Sequence, residues 1–214
     1  MYTNKGRETV PILLKELGEM FKEMNQYNEE QKERLEQAIF GHTSDMTRYL
    51  EAVEGKIMVD YWAYEEAVAQ GTVEELFGAD VVIVPTYMTP KAVGADCFAS
   101  EEVVIAPGQI KSVPTGIKAK FNGEEEGLFP FIRSSIPKKK GLFLANGVGV
   151  VESDYYGNED NDGDIGFMFY NYTKEDVYIN RFERLGQIVL LPILRFENAG
   201  RAGMERGASG STNK

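Results

Sequence analysis

The spacing of apolar residues changes about a third of the way along the 214-residue chain. In the first part it is helical. Val10, Leu13, Leu14, Leu17, Phe21 and Met24 recur at three- and four-residue intervals, with Pro11 suited to a first turn. Asn28 followed by Gln31 forms a capping-box pattern that opens a second predicted helix, stopping near Gly41. A third is predicted over 44–70, with Met46, Tyr49, Leu50, Val53, Ile57, Tyr61 and Tyr64 on one face, and Thr72 and Glu75 cap a last short turn. From Val81 onward the pattern becomes short runs of Val, Ile and Phe punctuated by Gly and Pro, the signature of strands and turns. The expected organisation is a helical region over 1–78 followed by a β domain over 79–214.

Charge sharpens this division. Residues 1–78 hold 16 acidic and 8 basic side chains, against 18 and 15 in 79–214, within a net charge of −11. So acidic a chain is not a general nucleic-acid binder, because affinity for the phosphate backbone comes from clustered Lys and Arg. A nucleotide substrate stays open, since it needs only a few local cations and backbone N–H groups. One cysteine, Cys97, rules out an internal disulfide. No apolar run reaches the roughly 20 residues of a membrane span. The expected location is the cytoplasm, or a host's cytoplasm if the chain is phage-encoded. His42 and Cys97 have no partner motif and are expected to pack rather than to ligate.

Five short segments follow one another in the β part: VGADCFA (93–99), RSS (133–135), NGVGVVESDYYG (146–157), RLGQ (184–187) and ERGASGST (205–212). Each alone recurs by chance. Together and in order they resemble the five motifs of the trimeric deoxyuridine triphosphatase (dUTPase) family, over roughly residues 79–214. The Ala-Pro-Gly turn (106–108) and Val-Pro-Thr-Gly (113–116) follow that family's opening hairpins. Residues 1–78, read as helical, hold none of its motif residues.

The resemblance implies a mainly β, jelly-roll-like or β-barrel domain that assembles as a homotrimer, with active sites between subunits. It implies hydrolysis of dUTP to dUMP and pyrophosphate, assisted by Mg2+. In that reading Glu152 is the catalytic base, and Arg133, Ser134 and Ser135 hold the triphosphate. A guanidinium suits the first of these tasks, because its planar fork pairs with two phosphate oxygens at once. Asn146, six residues before Glu152, reads uracil from a hairpin that includes Val150 and Val151. Tyr155 packs on the deoxyribose and leaves no room for a 2′-hydroxyl. Gln187 supports the phosphates or the Glu152 carboxylate, with Arg184 mainly structural. Arg206, Ser211 and Thr212 suit the γ-phosphate. Asp96 acts near the metal through water, in keeping with magnesium's preference for phosphates and waters over a protein cage. Lys138, Lys139 and Lys140 are expected as a solvated basic turn.

Two departures stand out. The family's motif-three catalytic residue is an aspartate, whereas this chain has Glu152, with Asp154 expected two residues on along a strand. Its fifth motif lacks the phenylalanine that closes over the base, which makes Phe167 a candidate lid, although an aromatic in an apolar strand more often joins the core. The alternatives are a pyrophosphatase for a modified or other deoxynucleotide, or a weakly active regulatory protein of the same fold whose N-terminal region binds a protein partner. The related dCTP deaminases fit less well, because the strand after motif three reads DIGFMFYN and lacks their glutamate.

Overall fold

The computed structural model describes residues 48–73, 77–196 and 199. By their contacts these fall into two compact units, one holding residues 62–73 and 77–78 and the other holding 48–61 together with the residues from 79 onward. The helices expected over 10–24 and 28–41, and His42 and Glu75, lie outside the described residues.

Among the described residues, the third expected helix is present only over its last ten positions. Strand β1 (Tyr49–Ala52) and strand β2 (Ile57–Val59) precede helix α1 (Tyr61–Gln70). A tight turn separates the strands: the Lys56 N–H donates to Val53 O at 3.0 Å, and Gly55 takes a positive φ of 76° that favours glycine. Tertiary pairing decides the conformation here. Tyr49 to Ala52 run antiparallel to Lys120 to Ile117, and Ile57 to Val59 run parallel to Val81 to Ile83. The apolar positions that suggested one helical face serve equally well on two short strands once neighbouring edges are available. In the smaller unit α1 stops at Gly71, at a φ of 71°, and the Tyr64 and Phe77 rings sit 6.3 Å apart.

The larger unit is built from strands. After β2 come β3 (Val81–Ile83), β4 (Ala95–Phe98), β5 (Val103–Ile105), β6 (Ile110–Val113), β7 (Ile117–Lys120), β8 (Glu126–Ile132), β9 (Leu142–Leu144), β10 (Phe167–Asn171), β11 (Val177–Ile179) and β12 (Arg184–Pro192), with a short helix α2 (Ser135–Lys140) between β8 and β9. They pair as β4-β12-β8, β6-β10-β9, β1-β7, β5-β11 and β2-β3. Between them lies one core, which includes Cys97, Ile105, Val113, Leu142, Phe167, Phe169, Ile179 and Leu185. Cys97 therefore packs, as expected, and burial pushes its thiol well above the usual range. Phe167 is fully buried in this core, its ring 6.2 Å from that of Phe169, so it is not a lid over any ligand.

One irregularity positions the site. Arg184 faces Phe98, Gly186 faces Cys97 and Gln187 faces Asp96, so the ladder between β12 and β4 slips by one residue between Arg184 and Gly186. This bulge points both Leu185 and Gly186 at the core and returns Arg184 and Gln187 to the same outer face as Asp96. Only glycine fits at 186: an added Cβ would lie 2.1 Å from the Phe167 ring and 2.4 Å from Phe131 O.

Candidate active site

Asp96 lies between Ala95 and Cys97, both buried, so strand alternation turns its carboxylate to the opposite face of the sheet. Three side chains converge there. Arg184 Nη1 is 3.4 Å and Arg133 Nε 3.7 Å from the same oxygen, Asp96 Oδ2, and Gln187 is the direct cross-strand neighbour of Asp96. Ion pairs this long between partly exposed groups contribute little stability. They orient the side chains instead. Arg184 is steadied further by the Tyr61 ring, whose centroid is 5.6 Å from the guanidinium carbon and which stacks on Phe98. Arg133, at the end of β8, is a third exposed. Ser134 follows at the start of α2, where it is exposed and spends no side-chain bond on capping the helix. The basic run after it is helical rather than a turn: Lys138 and Lys139 are exposed, and Lys140 donates to Tyr178 O and to Glu183.

The second group sits beyond β9. Asn146 is exposed in a turn where Gly147 has a φ of 73° and its N–H donates to Leu144 O at 3.0 Å. Gly149 passes so close to Pro130 that a Cβ would meet that ring at 3.0 Å. Val151 then bridges to Leu128, with N–H to O distances of 2.8 and 3.2 Å, while Val150 is 63% exposed. The turn is thus pinned at its base and open at its tip. Glu152 is exposed and caps a single 3-10 turn, Ser153–Tyr155. Glu152 and Asp154 are therefore not on one strand face, as the alternating pattern suggested, because the Tyr155 N–H donates to Glu152 O and curls the chain.

The loop after Tyr155 went unread in the sequence. Lys118 Nζ meets the Asp162 carboxylate at 2.8 Å, and the Glu54 N–H donates to the same group at 2.8 Å. Burial alone would raise the Asp162 pKa, but these bonds and the lysine charge outweigh it and hold the carboxyl below its ordinary value. Asp164 accepts the N–H groups of Thr115 and Gly116 at 3.0 and 3.1 Å. Burial still leaves its pKa raised. The signal available was the polar run NEDNDGD, with its density of residues that bond to nearby main chain.

The chain thus gathers Asp96, Arg133, Arg184 and Gln187 on the β4-β12-β8 sheet, and Asn146, Val150, Val151, Glu152 and Tyr155 beyond β9. Ser135 is half-buried as the first residue of α2. Arg206, Ser211 and Thr212 lie outside the described residues. Among the described residues no cluster of three or more His, Cys, Asp or Glu could hold a metal ion, and no helix is long and apolar enough to cross a membrane.

Comparison with known proteins gives a consistent result. The model of the dUTPase family matches residues 80–213. The deoxyuridine 5′-triphosphate nucleotidohydrolase of Lactococcus lactis is 45% identical over 111 residues, which cover 52% of this chain and 73% of that protein. The crystal structure of the dUTPase from Streptococcus mutans superimposes with a TM-score of 0.51 at 40% identity, covering 53% of this chain and 88% of that one. The dUTPase from phage phi11 of S. aureus, at 17% identity, shares the fold with a TM-score of 0.51 over 74% of this chain and 98% of its own. The expected mainly β domain of this fold is therefore present.

Proposed function

Because this chain belongs to the dUTPase family, whose model matches more than half of it, we propose that it hydrolyses dUTP to dUMP and pyrophosphate as a homotrimer in the cytoplasm. The observation that carries this reading is the convergence of Asp96, Arg133, Arg184 and Gln187, drawn from three ordered motifs, on one face of a sheet. Together they make a polar platform on which a triphosphate can rest. The Arg133 guanidinium pairs with phosphate oxygens and stabilises the charge that grows on the departing pyrophosphate, with Ser134, Ser135 and Gln187 adding donors. Arg206, Ser211 and Thr212 of the C-terminal segment hold the γ-phosphate, in a site shared with a neighbouring subunit.

Glu152 takes a proton from a water as that water attacks the α-phosphorus; the P–O bond to the β-phosphate breaks and its electrons leave with pyrophosphate. Asn146 and the main chain around Val150 and Val151 read the uracil edge, and Tyr155 covers the deoxyribose. The residues present suit a magnesium ion carried on the triphosphate. Asp96, already turned towards two guanidinium groups, would hold that ion through water rather than as a ligand, and the ion supplies charge neutralisation for the phosphates.

Glu152 in place of an aspartate, on an exposed 3-10 cap, favours a second reading in which the preferred base is modified or different. A pyrophosphate-release assay across dUTP, dCTP, dTTP and UTP with magnesium decides between them. A clear preference for dUTP supports the first, a preference for another deoxynucleotide supports the second, and no release from any of them overturns both.

A further inference from the structure

The residues that follow the Tyr155 motif form a closed hydrogen-bonded clamp on that tyrosine. Asn161 Nδ2 donates to the Tyr155 phenol oxygen at 2.9 Å and to Asp164 O at 3.2 Å. Its Oδ1 accepts from Asn158 Nδ2 at 2.7 Å and from the Gly163 N–H at 3.2 Å. All four hydrogen-bonding capacities of the amide are filled, so a flipped amide would set its nitrogen against the Asn158 and Gly163 donors and its oxygen against Asp164 O. Asn158 meanwhile donates to Tyr155 O at 3.0 Å. The tyrosine is therefore gripped twice, at its main-chain carbonyl and at the tip of its ring.

The clamp itself is anchored below. At Gly163, with a φ of 86°, a Cβ would lie 2.8 Å from Tyr155 O and 3.0 Å from Gly157 N, so the loop closes backbone against backbone as only glycine allows. Asp162 adopts a φ of 57°, which ordinary side chains rarely take, and is held there by Lys118 and the Glu54 N–H. Asp164 ties the end of the loop to Thr115 and Gly116. A loop fixed at so many points can transmit a rigid constraint to the ring it touches.

We infer that Asn161 is a positioning residue which fixes the Tyr155 ring and thereby sets the preference of the site for deoxyribose over ribose. The inference rests on the proposed role of Tyr155 against the sugar. An aromatic ring excludes a hydroxyl only if it cannot swing aside, and a site must be held to within about half an ångström to discriminate at that level. A bond at the ring's tip limits both of its soft torsions, which packing at the Cβ end does not.

The test is the ratio of kcat/KM for dUTP to that for UTP, in the full chain. We compare Asn161→Ala, Tyr155→Phe, the double variant and Tyr155→Ala. Asn161→Ala and Tyr155→Phe should each lower the ratio by about fivefold, the worth of one ordinary hydrogen bond. The double variant should lower it no further than the larger single, because both remove the same contact. If Asn161→Ala fails to fold, Tyr155→Phe decides alone, since it deletes the acceptor and leaves the loop untouched. Equal losses for dUTP and UTP, with the ratio unchanged, would mean a merely structural loop and overturn the inference. Should Tyr155→Ala also keep the wild-type ratio, it is the sugar-binding role of Tyr155 that has failed.

Discussion

Gln187 stands opposite Asp96 across the β4-β12 ladder, and its amide lies over Gly94, where a Cβ would come within 2.8 Å of Gln187 Oε1 and 3.0 Å of its Cβ and Cδ. Motif one thus shapes motif four directly. Gly94→Ala should push Gln187 off its present rotamer and lower kcat/KM for dUTP about tenfold, because displacing a positioning group by a fraction of an ångström is costly to rate. The melting midpoint should fall only modestly: the half-exposed amide can turn away, and the Gln187 Cβ, which no rotamer change moves, has to give by only a few tenths of an ångström. Gly94→Ala combined with Gln187→Ala should be no worse than Gln187→Ala alone. Additive losses in steady-state kinetics would separate the two residues.

Glu152→Gln should reduce turnover by two to four orders of magnitude, roughly the contribution of a positioned general base. Binding of a non-hydrolysable dUTP analogue, followed by calorimetry, should change little, because the carboxylate acts on the transition state. Glu152→Asp should also be slower, as the 3-10 cap leaves the shorter side chain short of the same water. A faster Glu152→Asp enzyme would mean that the backbone here still suits an aspartate.

A depressed carboxyl stabilises the fold above its unfolded value and loses that contribution as pH falls through its folded one. For Asp162 this makes the difference in stability between the wild type and Asp162→Asn about 1 kcal/mol near neutrality, after allowing for partial exposure of the Lys118 pair. The difference should shrink as pH drops below about 4, where free aspartate protonates. Asparagine tolerates the positive φ, so the variant isolates charge from strain. Urea midpoints of both proteins at neutral and acidic pH measure it. The comparison must be between variants, because the raised Asp164 works with the opposite sign as pH rises through its own window. A gap that stays constant with pH would remove Lys118 as the cause.

A chain beginning at Arg48 should keep the β domain intact, whereas one beginning at Ala79 loses β1, β2 and the Glu54 N–H. The second then exposes the edge of β7 and the apolar surface under Leu50, which packs against the core. Its melting midpoint should fall by roughly 10 °C, the effect of losing a few kcal/mol in a domain of this size. Gel filtration should also show it aggregating at the bared edge. Equal midpoints for the two chains would make residues 48–61 an ornament of the domain.

The sequence revealed the β domain well because its strands are bounded by Gly and Pro turns that act locally, and because Arg133, Asn146, Glu152 and Gln187 fall in ordered motifs. It misled at Tyr49–Val59, where one spacing fits both a helical face and two strands, and only the edges of β7 and β3 choose between them. It also gave the wrong local form to Glu152 and Asp154, since the 3-10 turn depends on two bonds between main-chain groups, from Tyr155 to Glu152 and from Tyr156 to Ser153, that no side chain announces. The clamp on Tyr155 was invisible for a related reason. Asn158 and Asn161 look like loop solvation until the loop closes and brings them against the main-chain carbonyl and the phenol oxygen of Tyr155.

The bulge at Leu185 carries a consequence for how the gene can change. Arg184 and Gln187 are three apart, an odd interval that in an unbroken strand would send them to opposite faces; here the surplus residue restores them to one. An in-frame loss of codon 185 would leave Arg184, Gly186 and Gln187 opposite Phe98, Cys97 and Asp96 in an unbroken ladder, so the two polar residues would keep one face while the core lost the fully buried Leu185 side chain. Missense drift can exchange Leu185 for another apolar residue, whereas a deletion there would take away core volume rather than register. Within this tetrapeptide selection would guard the buried apolar side chain at 185 and the missing one at 186, the two that face inward together.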